Sequence, residues 1–226
     1  MIIVKCEQGT EEWFQSRCGS ISASHFKDAR SKMKQNRGGK KVGDWTMAAE
    51  HYAYKIAVER IIGEPLLSDT FTAYATERGK ALEPQARALH ALKIGHPIQE
   101  IGLAKTDDER FSASPDGLIG DDGGSEYKSL YAPSSLVPIF FNNDISEFED
   151  QVQGGMWICD REWWDFVVYC PQLKMIGLEF NRKRVYRDQQ YINALENDLE
   201  DFDVLVEQTK ARLIQLGIDG WCDSNA

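Results

Sequence analysis

Cysteine is present but without pattern: five residues, Cys6, Cys18, Cys159, Cys170 and Cys222, with no C-x-x-C pair in 226 residues. An odd, scattered set suits neither a disulfide framework nor a structural zinc site, so reduced thiols are expected. Long apolar runs are also missing. The opening Met1-Ile2-Ile3-Val4 is too short for a signal peptide, and no segment approaches the length that spans a bilayer. A cytoplasmic protein with no membrane contact is therefore expected. The absence of low-complexity tracts and internal repeats argues against disorder and against a solenoid. Net positive charge is lacking too: 26 Lys and Arg stand against 36 Asp and Glu, a balance of −10.

What remains is an ordinary globular composition. At 42% hydrophobic the chain is long enough for one full core, and a single domain over 1–226 is expected. The charge is uneven, and its distribution says more than its sum. Lys27, Arg30, Lys32, Lys34, Arg37, Lys40 and Lys41 crowd one stretch in which Asp28 is the opposing charge. The stretch contains glycine and little aromatic residue, which predicts a DNA-contacting loop over about 27–44, with Lys32, Lys34, Arg37, Lys40 and Lys41 as the contacts. Glu196, Asp198, Glu200, Asp201, Asp203 and Glu207 lie near the C-terminus, where a solvated helix face is the plain reading.

Periodicity predicts helices from Thr10, over Trp45–Ile62 with a stop at Gly63, over Tyr74–Lys93 closed by Gly95, over Ser146–Cys159, and over about 187–216. Ser22 is a candidate N-cap for a short helix through Phe26. Between Pro97 and Leu130 short apolar runs alternate with Asp-Asp and Gly-Gly turn signals, predicting strands at Ile98–Ala104, Arg110–Ala113, Leu118–Ile119 and Tyr127–Tyr131. Further strands are predicted at Trp163–Cys170 and Met175–Phe180. The expectation is an α/β fold: a central mixed sheet flanked by helices, too irregular in alternation for a doubly wound nucleotide fold.

The chemistry concentrates in the predicted hairpin of about 97–131, in Ser114-Pro115-Asp116-Gly117 and Glu126-Tyr127-Lys128. Alternate residues of a strand share a face, so Glu126 and Lys128 should project together while Asp116 reaches them from the neighbouring strand. Two carboxylates can hold a hard divalent cation, and a nearby lysine can orient or deprotonate the water that attacks a phosphodiester. Asp-Gly alone is a turn signal and Glu-x-Lys alone is common; the spaced combination carries the reading. Trp163 and Trp164 are adjacent, so at least one faces the core.

Around that pair stand Trp13-Phe14-Gln15-Ser16-Arg17-Cys18-Gly19-Ser20-Ile21-Ser22-Ala23-Ser24, Gly79-Lys80-Ala81-Leu82-Glu83 and Gln151-Val152-Gln153-Gly154-Gly155-Met156-Trp157. In this order the chain resembles the phage lambda exonuclease family of alkaline exonucleases, a branch of the PD-(D/E)XK nuclease superfamily. The resemblance spans roughly residues 13 to 157. It implies that Asp116 and Glu126, with the Tyr127 carbonyl, hold Mg²⁺ or, as a substitute, Mn²⁺, and that Lys128 positions the attacking water. It also implies that Glu83 and Gln151 complete the catalytic set, against the plainer alternatives of an exposed helical carboxylate and an ordinary polar helix position.

Arg17, Ser22, Ser24 and Ser114 resemble the family's pocket for a terminal 5′-phosphate. Without the family pattern, Ser22 reads as a helix cap and Arg17 as a surface salt bridge. Cys18 beside Arg17 reads as a packed thiol. Ser129 stands where relatives commonly carry Cys-Pro, a departure just after the catalytic strand. The implied activity is a 5′→3′ exonuclease acting on one strand of linear double-stranded DNA with a 5′-phosphorylated end. It would release mononucleotides and leave 3′ overhangs for phage-type recombination in a bacterial host. A ring-shaped homotrimer and a single-strand annealing protein as partner are implied with it. An endonuclease of the same superfamily and a non-catalytic DNA-end binding protein are the alternatives.

Overall fold

The computed structural model describes residues 1–66, 73–130 and 132–218, the side chains of 73–77 excepted. Tyr131, the predicted end of one strand, and Cys222 lie outside the described residues.

Two four-stranded mixed sheets, flanked by helices, form the α/β architecture. The first orders β1 (Ile2–Val4), β3 (Leu103–Lys105), β4 (Phe111–Ala113) and β2 (Ile21–Ser22), antiparallel except where β2 runs parallel to β4. The second orders β5 (Gly117–Ile119), β6 (Gly123–Lys128), β7 (Trp163–Tyr169) and β8 (Phe180–Tyr186), with β6 and β7 the parallel pair. The one sheet expected is thus divided. Chain passes from one sheet to the other through Ser114-Pro115-Asp116, and Pro115, which lacks an N–H, cannot extend a ladder. The Pro115 carbonyl instead accepts from the Gln8 side chain at 3.0 Å.

Helix α1 (Glu11–Arg17) starts on Thr10, whose hydroxyl accepts from the Trp13 N–H. After a single 3₁₀ turn, Ala23–His25, comes the short α2 (Phe26–Ala29). Ser22 does not cap this segment with its side chain; it is a buried strand residue whose hydroxyl is used elsewhere. Helix α3 (Met47–Ile62) is capped by Thr46 and ends at Gly63, in the left-handed region at φ 73°. Helix α4 (Ala73–Ile94) contains Pro84, which withdraws one backbone donor just after Glu83.

The sequence pattern did not show β1, β2 or α5 (Pro133–Asn142), and the strands expected at Ile98–Ala104 and Met175–Phe180 are displaced, the former to β3. The strand β1 is three residues long, and α5 begins on proline and contains a second, Pro138. The strand expected at Met175–Phe180 is a 3₁₀ segment, Pro171–Ile176, followed by β8; Pro171 and the left-handed Gly177 bracket the turn.

The helix α6 (Glu149–Cys159) lies on the core through Gly154, where a Cβ would fall 2.5 Å from the Phe26 ring. In the same way a Cβ on Gly124 would come within 2.2 Å of the Trp164 indole, so α6 seats against Phe26, and β6 against Trp164, because each lacks a side chain there. Trp164 is 2% exposed, a core residue, while Trp163 is half-buried beneath Arg184, whose guanidinium lies 3.6 Å from its ring centroid. The long α7 (Gln189–Ile218) packs on α3 through Leu195, Leu199, Phe202 and Val206. Its acidic residues are not merely solvated. Asp198 pairs with Arg30, Glu200 and Asp203 with Arg110, and Glu207 with Arg60.

The basic stretch folds as a hairpin rather than an open loop. Lys32 bridges to Trp45 and Arg37 to Lys40 around the tip Gly38-Gly39. Trp45 supplies the packing that was not expected: the Lys32 ammonium sits 3.3 Å from its ring centroid, and Lys40 donates to its carbonyl while pairing with Glu50. Lys34, Arg37 and Lys41 are exposed.

Candidate active site

Asp116 emerges where the two sheets meet, and its neighbours are decided by strand geometry. Its Oδ2 accepts from the Tyr127 N–H at 2.6 Å. In an extended strand the N–H and C=O of one residue leave on the same side, so the Tyr127 carbonyl also faces Asp116 rather than β7. Glu126 and Lys128, two residues apart, share the other, side-chain face of β6. Lys128 donates from Nζ to Glu126 Oε1 at 2.7 Å and to Gln151 Oε1 at 3.1 Å, and Gln151 Nε2 donates to Glu126 Oε1 at 2.6 Å. Strand β6 and helix α6 thereby bring together Asp116, Glu126, Lys128 and Gln151.

Glu83 approaches from α4. It is paired with Arg87, one turn on, and Arg87 Nε also donates to the Asp116 carbonyl at 3.0 Å, while its remaining arm meets Glu100. Arg87 was missed in the sequence, although an acid four residues before an arginine on a helix is a readable pair.

The electrostatics are those of crowded negative charge. Burial pushes the Asp116 carboxyl well above its usual range, and the charges of Glu126 and Glu83 push it further. Glu83 is raised mainly by burial, against the pull of Arg87. Burial alone would lower Lys128, but Glu126 and Asp116 outweigh it and lift the ammonium above its ordinary value. Among the described residues no three His, Cys, Asp or Glu side chains form a ready-made metal cluster. The donor set is nevertheless all oxygen, as a hard cation prefers, and a divalent ion would relieve the mutual repulsion that raises Asp116.

A cavity of about 240 Å³ opens on these groups, lined also by Arg17, Ser22, Ser24, Ser114 and Trp164. Arg17, the last residue of α1, lies over the Trp13 ring at 4.4 Å and donates to Ser22 Oγ at 2.9 Å. Trp13 donates from Nε1 to Ser114 Oγ at 3.0 Å. Ser22 Oγ lies 3.2 Å from Ser24 Oγ, and both hydroxyls lie near His25 Nδ1 at 3.3 and 3.1 Å. Burial and the Arg17 charge push His25 down to about 4, so the ring is neutral at physiological pH and the charge beside these hydroxyls is that of Arg17. Burial and then Glu59 push the Cys18 thiol up, and it donates to the Glu59 carbonyl at 3.8 Å. A second, larger cavity of about 1090 Å³ meets the first at Gln8 and Asp116 and runs past Glu83, Arg87, Lys80 and Glu100. All four candidate anion-binding residues therefore line the same cavity as Asp116, Glu126, Lys128 and Gln151.

A mixed α/β core that presents two acids and a lysine beside a cationic pocket is the architecture of a nuclease. The chain belongs to the family of the YqaJ-like viral recombinase domain, whose model matches residues 12–162. The crystal structure of an alkaline exonuclease, LHK-Exo from Laribacter hongkongensis, is similar at 28% identity and a TM-score of 0.77, covering 93% of this chain and 99% of that one. LHK-Exo in complex with dAMP matches at a TM-score of 0.78 with the same identity and coverage. A phage-related exonuclease from Haemophilus somnus 129PT shares the fold at 17% identity and a TM-score of 0.64, over 87% of this chain and 95% of that one. No match was found among curated proteins. The family and the alkaline exonuclease support a nuclease role on DNA. No helix among the described residues is long and apolar enough to cross a membrane.

Proposed function

We propose that this chain, as one nuclease domain, is a Mg²⁺-dependent 5′→3′ exonuclease. It removes mononucleotides from a 5′-phosphorylated strand of linear double-stranded DNA and leaves a 3′ overhang. The observation that carries this reading is the one cavity that both the candidate anion-binding residues, Arg17, Ser22, Ser24 and Ser114, and the carboxylates Asp116 and Glu126 line. A terminal phosphate bears more charge than an internal one, and Arg17 with Ser22, Ser24 and Ser114 offers charge-assisted hydrogen bonds for it. Seating that phosphate sets the cut a fixed distance inward. The complex of the similar alkaline exonuclease with dAMP supports a cleft of this kind taking a mononucleotide.

Asp116, Glu126 and the Tyr127 carbonyl would hold Mg²⁺, or Mn²⁺ in its place, and the ion would offset negative charge at the scissile phosphate. Lys128 keeps its proton beside Glu126 and Asp116, so its role is electrostatic: it orients the attacking water and stabilises charge that develops on the phosphate. Gln151 fixes Lys128 and Glu126 against one another, and Glu83 brings a third carboxylate from α4. Lys34, Arg37 and Lys41, with Lys32 and Lys40 more tightly held, grip duplex phosphates without reading bases.

A ring-shaped homotrimer, a single-strand annealing partner and action in the cytoplasm of a bacterial host belong to the same proposal, supported by the family resemblance. A net charge of −10 suits a protein that binds DNA through a restricted basic surface and is repelled elsewhere, because non-specific affinity grows with the phosphates neutralised. The test compares 5′-phosphorylated linear duplex with covalently closed circular DNA, each with Mg²⁺ and with EDTA. Digestion of the linear form alone, and only with Mg²⁺, is expected; cutting of the closed circle would make the protein an endonuclease.

A further inference from the structure

Behind the carboxylates, on the opposite face of β6, a buried line of polar groups takes no part in the chemistry just described. Tyr127 lies between Glu126 and Lys128, so its side chain points away from them. Its hydroxyl is 3.0 Å from His90 Nδ1, and His90 Nε2 is 3.1 Å from Asp165 Oδ2. His90 and Asp165 have no exposed surface and Tyr127 very little. An ionised carboxylate only accepts, so Nε2 carries the proton toward Asp165; in the neutral ring Nδ1 then accepts from the tyrosine hydroxyl. Asp165 is further held by Arg184, through two contacts of 2.8 Å, and by Arg182.

Three elements meet in this line. His90 belongs to α4, two turns after Glu83; Tyr127 to β6; Asp165 to β7. Among the described residues, apolar packing between α4 and the sheet is thin here: the buried cluster comprises Ala86, Tyr127 and Val167, with Tyr169 and Phe180 at its edge. A surface that small permits a helix to slide, whereas a fully satisfied polar chain has one register. The backbone of the same tyrosine meets Asp116 at 2.6 Å, so its two ends join the helix carrying Glu83 to the oxygens of the candidate cation site.

We propose that Asp165, His90 and Tyr127 form a positioning relay that locks α4 to β6 and so fixes Glu83 relative to Asp116, Glu126 and the Tyr127 carbonyl. The inference rests on the reading of these oxygens as a cation site. None of the three side chains touches substrate; each acts through the groups it holds. Removal of a partner that orients a metal ligand typically weakens metal binding by roughly 10–100-fold.

The test is Mn²⁺ binding by calorimetry on the full chain without DNA, beside thermal unfolding and cleavage titrated with metal. Tyr127→Phe keeps the ring and the backbone and removes the one hydroxyl; His90→Phe keeps the volume and removes both bonds. Each should weaken Mn²⁺ binding by about 10-fold or more and raise the metal needed for half-maximal cleavage, and His90→Phe should cleave at saturating metal at a rate near that of wild type. The double variant should bind Mn²⁺ no worse than the weaker single, since the groups act as a unit. His90→Gln, which keeps an amide able to bond one neighbour, should lie between wild type and His90→Phe. Unchanged affinity in Tyr127→Phe and His90→Phe, with only a lowered melting temperature, would make the network a stability element and overturn the proposal. Wild type that binds no Mn²⁺ would remove the cation site and the relay together. Wild type that binds Mn²⁺ but leaves 5′-phosphorylated duplex intact would sink the proposed function alone, and the variants would still judge the relay.

Discussion

Replacing Arg17 by alanine should erase any preference for 5′-phosphorylated over 5′-hydroxyl ends. The guanidinium is half-buried, and burial lowers its pKa, partly opposed by Tyr52 and Glu59. Its described contacts are the Trp13 face and Ser22 Oγ, so a charged donor sits in a partly dry pocket with most of its N–H groups pointing to no carboxylate. A bound phosphate would take two of them. At about 1.5 kcal/mol or more for each hydrogen bond to a charged group, two amount to about 3 kcal/mol. That is roughly a hundredfold in the relative rate on phosphorylated ends at subsaturating DNA. The assay is initial nucleotide release from two otherwise identical duplexes, for wild type and Arg17→Ala. Wild type should favour the phosphorylated end by about two orders of magnitude, and the variant should treat the ends alike while losing more in run length than in initial binding. Equal rates for the wild type, or a preference undiminished in Arg17→Ala, would refute the pocket and leave Arg17 a packing residue over Trp13.

Three further outcomes are expected. Lys128→Ala should lower cleavage by on the order of a hundredfold or more while Mn²⁺ still binds in calorimetry, whereas Asp116→Ala should lose the ion itself; retention of a tenth of the rate by Lys128→Ala would contradict its role. Neutralising Lys34, Arg37 and Lys41 together should lower the slope of log affinity against log salt by roughly 0.9 per lost phosphate contact, and an unchanged slope would move the DNA path off the hairpin. Burial alone would raise Asp165, but Arg184, His90 and Arg182 outweigh it and hold the carboxyl at about 2, below its ordinary 3.8. Its stabilisation is therefore complete above about pH 4 and lost as pH falls towards 2, about 2.5 kcal/mol in all; denaturant unfolding at pH 5 and pH 2 should show that loss in wild type and not in Asp165→Asn.

The catalytic strand was legible because its message is local. Glu126 and Lys128 obey a two-residue period, and a hairpin with a reach of 11 residues delivers Asp116 to the Tyr127 N–H without help from the rest of the chain. The helix at Trp45–Ile62 was legible for a similar reason, with a cap at Thr46 and a stop at Gly63. What stayed hidden is non-local. His90 and Asp165 are 75 residues apart in sequence, and nothing in either neighbourhood marks the pair. The acidic face of α7 read as solvated because its partners Arg30, Arg60 and Arg110 come from other parts of the chain. Met175 and Ile176 read as strand because they are apolar, yet they are largely exposed, at 98% and 67%, on a turn that Pro171 opens and Gly177 closes. The anion pocket lies between these cases: Arg17, Ser22 and Ser24 are close in sequence, but Ser114 joins them only because Trp13 on α1 reaches its hydroxyl.

The central claim is that digestion starts at a 5′ terminus and proceeds inward one nucleotide at a time. Its most direct test is a linear duplex carrying 5′-phosphates, labelled either in the 5′-terminal nucleotide or at the 3′ end of the same strand and incubated with Mg²⁺. The account predicts that the 5′ label leaves at once as a mononucleotide, while the 3′ label stays in long DNA until the strand is nearly consumed. Early release of the 3′ label, or first products of oligonucleotide length, would contradict it.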